Sequence, residues 1–378
     1  MDGMTQSESS AVERAPQDGR EWPVLGTQSS HLLPKEAWQE VRTLHKVRPW
    51  RSAWLYAIVY GAIALAFAAE AYFHHPLVTL LAIIFIAGRQ HSLYILNHDA
   101  SHFGLFRSHK ANVTVGTVLS NLVMFHHPEA WSFVQWRRVH LLHHRNLFTK
   151  EDPNWLGRQL RGDTTRPYAP GRLVWTCLKA GLLSGLDFFR SRQDYVPPKG
   201  DTTVKWRDNH LRALFLPFRD DPEMERERRI KLLFFAVALA GVAYFNLWRP
   251  FLLLWVLPMY TVYPMILTLM DLTEHRWTLE SDDLNVNARS TRLGLLPRIF
   301  ISTLPRTLHR EHHVFPGVVA VDLPLLSALL CKSGLSPEPA RGLRALYREL
   351  SEMASNATPP PDTAPPPAAA LPEPSSPR

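Results

Sequence analysis

Four long apolar stretches dominate this 378-residue chain and limit what it can fold into. Each is almost free of charge, and polar segments or short turns separate them. They cover residues 53–73, 76–97, 232–248 and 251–270. Because a helix of roughly 20 residues spans the ~30 Å hydrocarbon core of a bilayer, each stretch can form a transmembrane helix, the third only at the lower limit. The alternative is a soluble all-α protein, but buried helices rarely run this far without a charge.

Short connections join these stretches in pairs, His74-His75 in the first pair and Arg249-Pro250 in the second. We therefore predict an all-α integral membrane fold with four transmembrane helices in two hairpins. Most flanking basic residues lie opposite the two turns, on the side that the positive-inside rule assigns to the cytoplasm. They are Lys46, Arg48, Arg51, Arg107, Lys110 and the basic residues within 226–231.

This topology predicts cytoplasmic termini and a cytoplasmic helical cap on a multi-pass protein. The membrane is either a bacterial inner membrane or the endoplasmic reticulum. The formal net charge of +8 fits contact with anionic membrane lipids, and no nucleic-acid partner is expected. Residues 112–125 and 173–189 are apolar but short, and we expect them to lie along the membrane surface.

The chain divides into three parts. Residues 1–48 form a polar cytoplasmic segment without the apolar run of a signal peptide, and residues 49–357 form the membrane domain. Residues 358–378 form a proline-rich tail, which we expect to be disordered because it cannot bury a core. Two cysteines in the whole chain exclude a disulfide scaffold.

Histidine is the unusual residue, with 18 in the chain. Half of them fall into four clusters, in which spacings of three and four place imidazoles on one helix face. The clusters are His98 with His102, then His140 with His143 and His144, then His275, and finally His309 with His312 and His313.

All four clusters belong on the same side of the membrane. His98 follows Pro76 by about 33 Å of helix and His275 follows Phe251 by about 36 Å, slightly more than the hydrocarbon thickness. The other two clusters lie in segments that the topology makes cytoplasmic. Nine imidazoles exceed what one closed zinc site takes, and imidazole also suits iron. We therefore predict two iron ions at the cytoplasmic face, with Asp271 one turn before His275 as a candidate catalytic residue that holds bound water or orients a ligand.

In order and local context, these motifs resemble the histidine boxes of the membrane fatty acid desaturase superfamily, which includes acyl desaturases, fatty acid hydroxylases and carotenoid ketolases. Residues 97–102 resemble the first box, and residues 138–144 followed by 151–153 resemble the second. Residues 309–313, with Phe315-Pro316 after them, resemble the third, and residues 273–275 resemble the additional histidine site of the family. The resemblance covers roughly residues 50–345.

The resemblance implies a di-iron centre, O2 as co-substrate and a lipid acyl chain as substrate. It also implies electrons from a separate ferredoxin or cytochrome b5, since the chain has no haem or iron–sulfur motif of its own. Acyl desaturation is our first expectation, and lipid or carotenoid hydroxylation or ketolation is the alternative. A membrane haem protein or a metal transporter are more distant alternatives, because the histidines lie in triplets at the surface and not at mid-membrane.

Two further pairs of residues, outside the four histidine clusters, contain histidine. Arg89 and His91 lie within the second apolar stretch, where ionisable groups are costly and often functional. They either line the substrate path or reach toward the interface. His126 and His127 lie outside the boxes, and we do not expect them to be ligands.

Overall fold

The computed structural model describes residues 32–121, 132–149, 151–154, 170–187, 221–275, 278, 281 and 283–356. These residues are mostly helical. The helices are α1 (Lys35–Leu44), α2 (Pro49–Phe73), α3 (Pro76–Ser101), α4 (His109–Val115), α5 (Phe133–Arg145), α6 (Pro170–Asp187), α7 (Pro222–Tyr244), α8 (Trp248–Asp271), α9 (Leu284–Asn287), α10 (Leu295–Phe300), α11 (His309–Val314), α12 (Leu323–Lys332) and α13 (Gly342–Asn356). Two short parallel strands, β1 (Thr291–Arg292) and β2 (Ala340–Arg341), pair with each other.

Three of the described helices, α2, α3 and α8, are long and apolar enough to cross a membrane. The central one is α3, which packs against both α2 and α8 and is the most buried of the three. On α2, large apolar side chains such as Leu65 face outward, as expected for a surface that contacts lipid. These three helices agree with the first, second and fourth apolar stretches of the sequence.

The turn between α2 and α3 lies where the sequence places it. His74 ends α2 in the left-handed conformation with φ 45°. His75 then caps α3 by accepting a hydrogen bond from Leu77 N through its side chain. Pro76 occupies the first helical position, where its missing N–H costs nothing.

The second turn differs from the sequence prediction. Helix α7 ends at Tyr244, and the chain turns through Asn246 in the left-handed region with φ 52°. Arg249-Pro250 therefore belongs to the first turn of α8 and not to the connection, which agrees with the preference of proline for that position. The predicted stretch 232–248 is thus not one helix, because its last residues form this turn and begin α8.

Helix α7 carries charge along its first half and is apolar only from residue 232 onward. The apolar part is about 20 Å long, shorter than a hydrocarbon core, and α7 does not meet the same length and hydropathy standard as the other three helices. Arg249 pairs with Glu70 at 2.7 Å, so the α7–α8 turn lies beside the last turn of α2.

At the opposite end of these helices, the C-terminal half of the chain forms a cap, which both apolar packing and an ion pair join to the helices. Leu93 and Leu96 of α3 pack with Leu326 and Leu330 of α12 in the main hydrophobic cluster. Arg51 at the start of α2 pairs with Asp322 at 2.9 Å. The cap is therefore tied to the helix ends from which the histidine boxes project.

The two surface segments expected from the sequence have different outcomes. Residues 109–120 form α4 and a π-helical turn whose Ser120 side chain hydrogen-bonds Tyr56 at 2.8 Å, and residues 122–125 lie outside the described part. Helix α6 packs closely on α8, since a Cβ on Gly181 would contact Met265 and the Thr261 carbonyl. Its position along the membrane surface stays a prediction, as do the boundaries at 48 and 357. Residues 1–31 and 357–378 lie outside the described part.

Candidate metal centre

The histidine boxes lie on three helices and one loop that converge at the cap. His98 is in the last turn of α3, and His102 follows its end. The second box is on α5 and the third is on α11. His275 follows α8 by four residues. The structure brings all nine histidines together, although they come from four separate parts of the sequence.

The nine imidazoles form two groups. The first contains five residues, whose ligand-capable atoms all lie within 4.8 Å of one another: His98, His102, His140, His144 and His312. Its Nε2 atoms are closely spaced, with His102 2.9 Å from His140, His140 3.1 Å from His144, and His144 3.0 Å from His312.

The second group contains four residues, His143, His275, His309 and His313. Three of its Nε2 atoms form a triangle with sides of 2.8, 2.9 and 3.1 Å. His143 completes the group with ring-centroid distances of 5.2 Å to both His275 and His313.

Each HxxHH box contributes to both groups. On α5, His140 and His144 are one turn apart and enter the first group, while His143 enters the second. On α11 the pattern is reversed, because His309 and His313 enter the second group and His312 enters the first. The adjacent histidines therefore separate, and the rings of His144 and His313 stack across the boundary with centroids 4.2 Å apart. This division makes the centre a pair of neighbouring sites.

Hydrogen bonds at Nδ1 turn Nε2 lone pairs toward the groups. His275 Nδ1 donates to the carbonyl of Asn287 at 2.9 Å, and His143 Nδ1 lies 2.9 Å from Asp152 Oδ1. Since a neutral imidazole with its proton on Nδ1 has a free lone pair on Nε2, both rings are set to bind a cation. His98 Nε2 is buried without a hydrogen-bond partner among the described residues, as expected for an atom that would bind a metal ion.

Burial also keeps these imidazoles neutral. Burial, and then nearby positive groups that include Arg306, lower the pKa of His102 to about 3. Burial, and then neighbouring imidazoles and Arg306, hold the pKa values of five others well below their ordinary range: His140, His144, His309, His312 and His313. Neutral imidazole is the form that binds metals.

The nitrogen spacing tests which ion would fit. Nitrogen ligands at right angles around an ion at about 2.1 Å lie about 3.0 Å apart, whereas tetrahedral ligands lie about 3.4 Å apart. The observed separations of 2.8–3.1 Å agree with right angles. The five donors of the first group exceed the four of a closed tetrahedral zinc site, so an ion of higher coordination number such as iron would fit there.

One ion pair lies directly against the second group. Arg306 is buried and bonds Glu274, whose other oxygen is 3.8 Å from His309 Nε2. Arg306 keeps its charge at any relevant pH, so this pair places a fixed cation and a carboxylate beside the imidazoles.

The remaining candidates lie outside the two groups. Asp271 is half-buried at the C-terminal end of α8, and its catalytic role stays a prediction. His91 is buried and stacks on Tyr94. Arg89 donates to the carbonyl of Ile299 at 2.5 Å, so its partner is backbone. His126 and His127 lie outside the described residues.

The sequence did not point to several residues that support the histidines. Asp152 was seen only as part of a motif, and Asn287 acts through its backbone. Glu227 on α7 accepts hydrogen bonds from Ser132 Oγ at 2.6 Å, Phe133 N at 2.7 Å and Val134 N at 3.1 Å, and so caps the helix that carries the second box. In the sequence Glu227 is only one acidic residue beside several basic ones, and that pattern does not predict a contact with α5.

Helices able to cross a bilayer, with nine imidazoles at their ends in two groups that could each hold a metal ion, are typical of a membrane protein with a metal centre. A family model described as fatty acid desaturase matches residues 74–334. The chain belongs to the fatty acid desaturase family, which confirms the resemblance found in the sequence. The family consists of lipid-modifying oxidoreductases, and the matched region contains all nine histidines. A comparison with curated proteins gives no match.

Proposed function

We propose that this chain is an O2-dependent di-iron oxidoreductase that introduces a double bond into a fatty acyl chain of a membrane lipid or acyl thioester. The observation that carries the proposal is the division of nine imidazoles into groups of five and four at the ends of apolar helices. Such a centre lies within reach of a hydrocarbon chain that enters from the bilayer.

In this proposal each group holds one iron ion. Removal of hydrogen from an unactivated C–H bond requires a strong oxidant. With O2 and two electrons, the two ions would supply it. The protein positions the ions and the acyl chain and keeps water away from both.

The residues around the groups are suited to these tasks. Trp136 stacks on the His140 ring with centroids 4.8 Å apart, and so covers one face of the first group with an apolar surface. Asp152 keeps a proton on His143 Nδ1, and the carbonyl of Asn287 does the same for His275. A fixed tautomer keeps each ring in one orientation.

We also propose that α7 is a fourth membrane crossing and that the chain has two transmembrane hairpins. Glu227 binds α5 at the histidine end, while Arg249 just after α7 pairs with Glu70 at the other end. Helix α7 must therefore traverse the distance between the two ends. By the positive-inside rule the histidine end faces the cytoplasm.

A separate electron donor, a ferredoxin or cytochrome b5, would reach the centre from that face. His102 and His144 of the first group are partly buried, whereas all four members of the second group are buried, so the first group lies nearer to solvent. Arg137, next to it in the cap, is half-buried and stacks on Phe103 at 4.2 Å. A cationic side chain there would suit an acidic donor.

The test is lipid mass spectrometry of a host that expresses the chain with a ferredoxin or cytochrome b5 system. The comparison strain carries His313→Ala, and the matched control carries His74→Asn, which changes a turn histidine and tolerates the left-handed conformation. We expect acyl chains short of two hydrogens in the unmutated and control strains only. Acyl chains that gain oxygen instead would contradict desaturation and identify a hydroxylase or ketolase.

A further inference from the structure

Helix α10 exposes large apolar side chains in a part of the chain that the sequence assigns to the cytoplasmic cap. Leu295 is 73% exposed and Leu296 67%, and Ile299 is also exposed. Three such side chains on a six-residue helix form a patch that water would disfavour. The contacts of α10 with α3 place this patch relative to the membrane.

The C-terminal end of α10 packs on α3 at Gly88. A Cβ at this position would lie 2.3 Å from the Phe300 carbonyl oxygen, so the approach requires glycine. Gly88 follows Pro76 by 12 residues, about 18 Å along the helix. Because α3 can span the bilayer, this contact places Phe300 well inside the ~30 Å hydrocarbon layer.

Arg89, the next residue of α3, explains how a short helix can end at that depth. The last carbonyls of a helix have no partner within it, and the membrane interior offers no water to bind them. Arg89 Nη2 donates to the Ile299 carbonyl at 2.5 Å, and its guanidinium lies over the Phe85 ring at 4.6 Å. The cation inside the second apolar stretch therefore acts as a cap for α10.

The chain enters and leaves this region on the same side. Before α10, strand β1 pairs with β2 of the cap. After α10, the N–H groups of Ile301 and Ser302 bond the Pro297 carbonyl at 2.8 and 3.0 Å, and Arg306 then reaches the metal centre. The backbone thus stays hydrogen-bonded through the return, as a buried segment requires.

We propose that residues 293–302 form a re-entrant segment that dips into the bilayer and exposes Leu295, Leu296 and Ile299 to lipid acyl chains. Gly88 and Arg89 anchor it to α3. The occupant of the apolar patch is lipid hydrocarbon and not a protein partner, because the contacts of α10 with Gly88 and Arg89 place the patch at the depth of the hydrocarbon layer. The inference goes beyond the proposed reaction and holds whichever acyl chemistry the centre performs.

The test uses spin labels on the full-length protein in phosphatidylcholine vesicles. Cys177 and Cys331 are first replaced by serine, and a label is attached at Leu296→Cys. Control labels are placed at Leu65→Cys, exposed on α2, and at Glu338→Cys, exposed in the cap. Collision with O2 reports lipid, and collision with a water-soluble nickel chelate reports water.

We expect the label at residue 296 to resemble that at residue 65, with a several-fold higher ratio of O2 to nickel collisions than at residue 338. A ratio at 296 equal to that at 338, while 65 stays lipid-like, would overturn the proposal. Gly88→Ala should raise nickel access at residue 296, since the new Cβ displaces the Phe300 carbonyl. Unchanged access in that variant would remove Gly88 as the anchor. No enzyme activity enters this readout, so failure of the proposed reaction would not affect it.

Discussion

Asp152 Oδ1 lies 2.9 Å from Nδ1 of His143, and the same carboxylate accepts hydrogen bonds from the N–H groups of Phe148 and Asn154 at 3.0 and 2.9 Å. Burial by itself would raise the pKa of Asp152, but the imidazole and these N–H groups outweigh it and lower the pKa. The carboxylate is therefore ionised and fixes the His143 tautomer.

Replacing this carboxylate should weaken the second group selectively. In Asp152→Asn the side chain keeps its shape but loses the charge that holds the His143 proton, and supporting residues of this kind typically contribute 10–100-fold to metal affinity. We expect iron bound by the second group to be lost first in chelator titrations of the purified protein. Glu151→Gln, a change at the exposed neighbour, should keep both ions, and equal retention in the two variants would exclude this role for Asp152.

A second prediction concerns the buried pair behind the second box. Lys231 Nζ lies 3.1 Å from Glu227 Oε1, and both side chains are almost fully buried. Glu227→Gln leaves the lysine without its counter-ion, and breaking a buried pair costs roughly 3–5 kcal/mol. A large fall in the thermal unfolding temperature in detergent is expected.

The control for this pair is Glu225→Gln on the same helix, whose partners Arg228 and Arg229 lie nearer the surface. Its expected cost is about 0–1 kcal/mol. Adding Lys231→Met to Glu227→Gln should recover part of the loss. If the single Glu227 variant unfolds at the temperature of the Glu225 variant, the pair is not the anchor of α5.

The metal-free protein should lose stability as the pH falls. Burial lowers the folded-state pKa of His102 to about 3 and holds those of His140 and His312 well below their ordinary range, while an unfolded chain takes up these protons near pH 6.5. These histidines therefore leave the free energy of unfolding undiminished above pH 6.5. Below that pH each one lowers it by up to about 1.4 kcal/mol per pH unit.

Thermal unfolding of chelator-treated protein between pH 8 and pH 5 checks this sign. The unfolding temperature should drop below pH 6.5, and added ferrous iron should move the drop to lower pH because it binds only neutral imidazole. A flat profile would mean that folding leaves the histidine pKa values unchanged, and a profile that rises toward acid would mean that the folded state holds the histidines protonated; either result would contradict the prediction.

Helical periodicity explains why so much of the centre could be predicted. A spacing of three or four residues fixes which imidazoles share a helix face, and the distance from Pro76 to His98 fixes their height relative to the membrane. Such local rules placed nine histidines at one site, and the structure brings all nine together. They could not divide the nine into two groups, because that division depends on how α5 and α11 face each other.

The features that sequence reasoning missed are all tertiary. Asn287 acts through a carbonyl that any residue has, and Glu227 caps a helix that begins 94 residues earlier in the chain. The second turn was misplaced because Pro250 was taken to mark the connection, whereas Asn246 makes the turn. The sequence left open whether Arg89 lines the substrate path or reaches the interface, because its backbone partner, the Ile299 carbonyl, lies 210 residues away.

Iron content of the purified protein tests the central claim most directly. The account predicts two iron ions per chain, with His144→Ala emptying the first group and His143→Ala the second, so that each variant retains about one ion. His74→Asn should keep both. One ion in the unmutated protein, tetrahedral zinc in place of iron, or identical losses of both ions in the two neighbouring variants would contradict a paired iron centre.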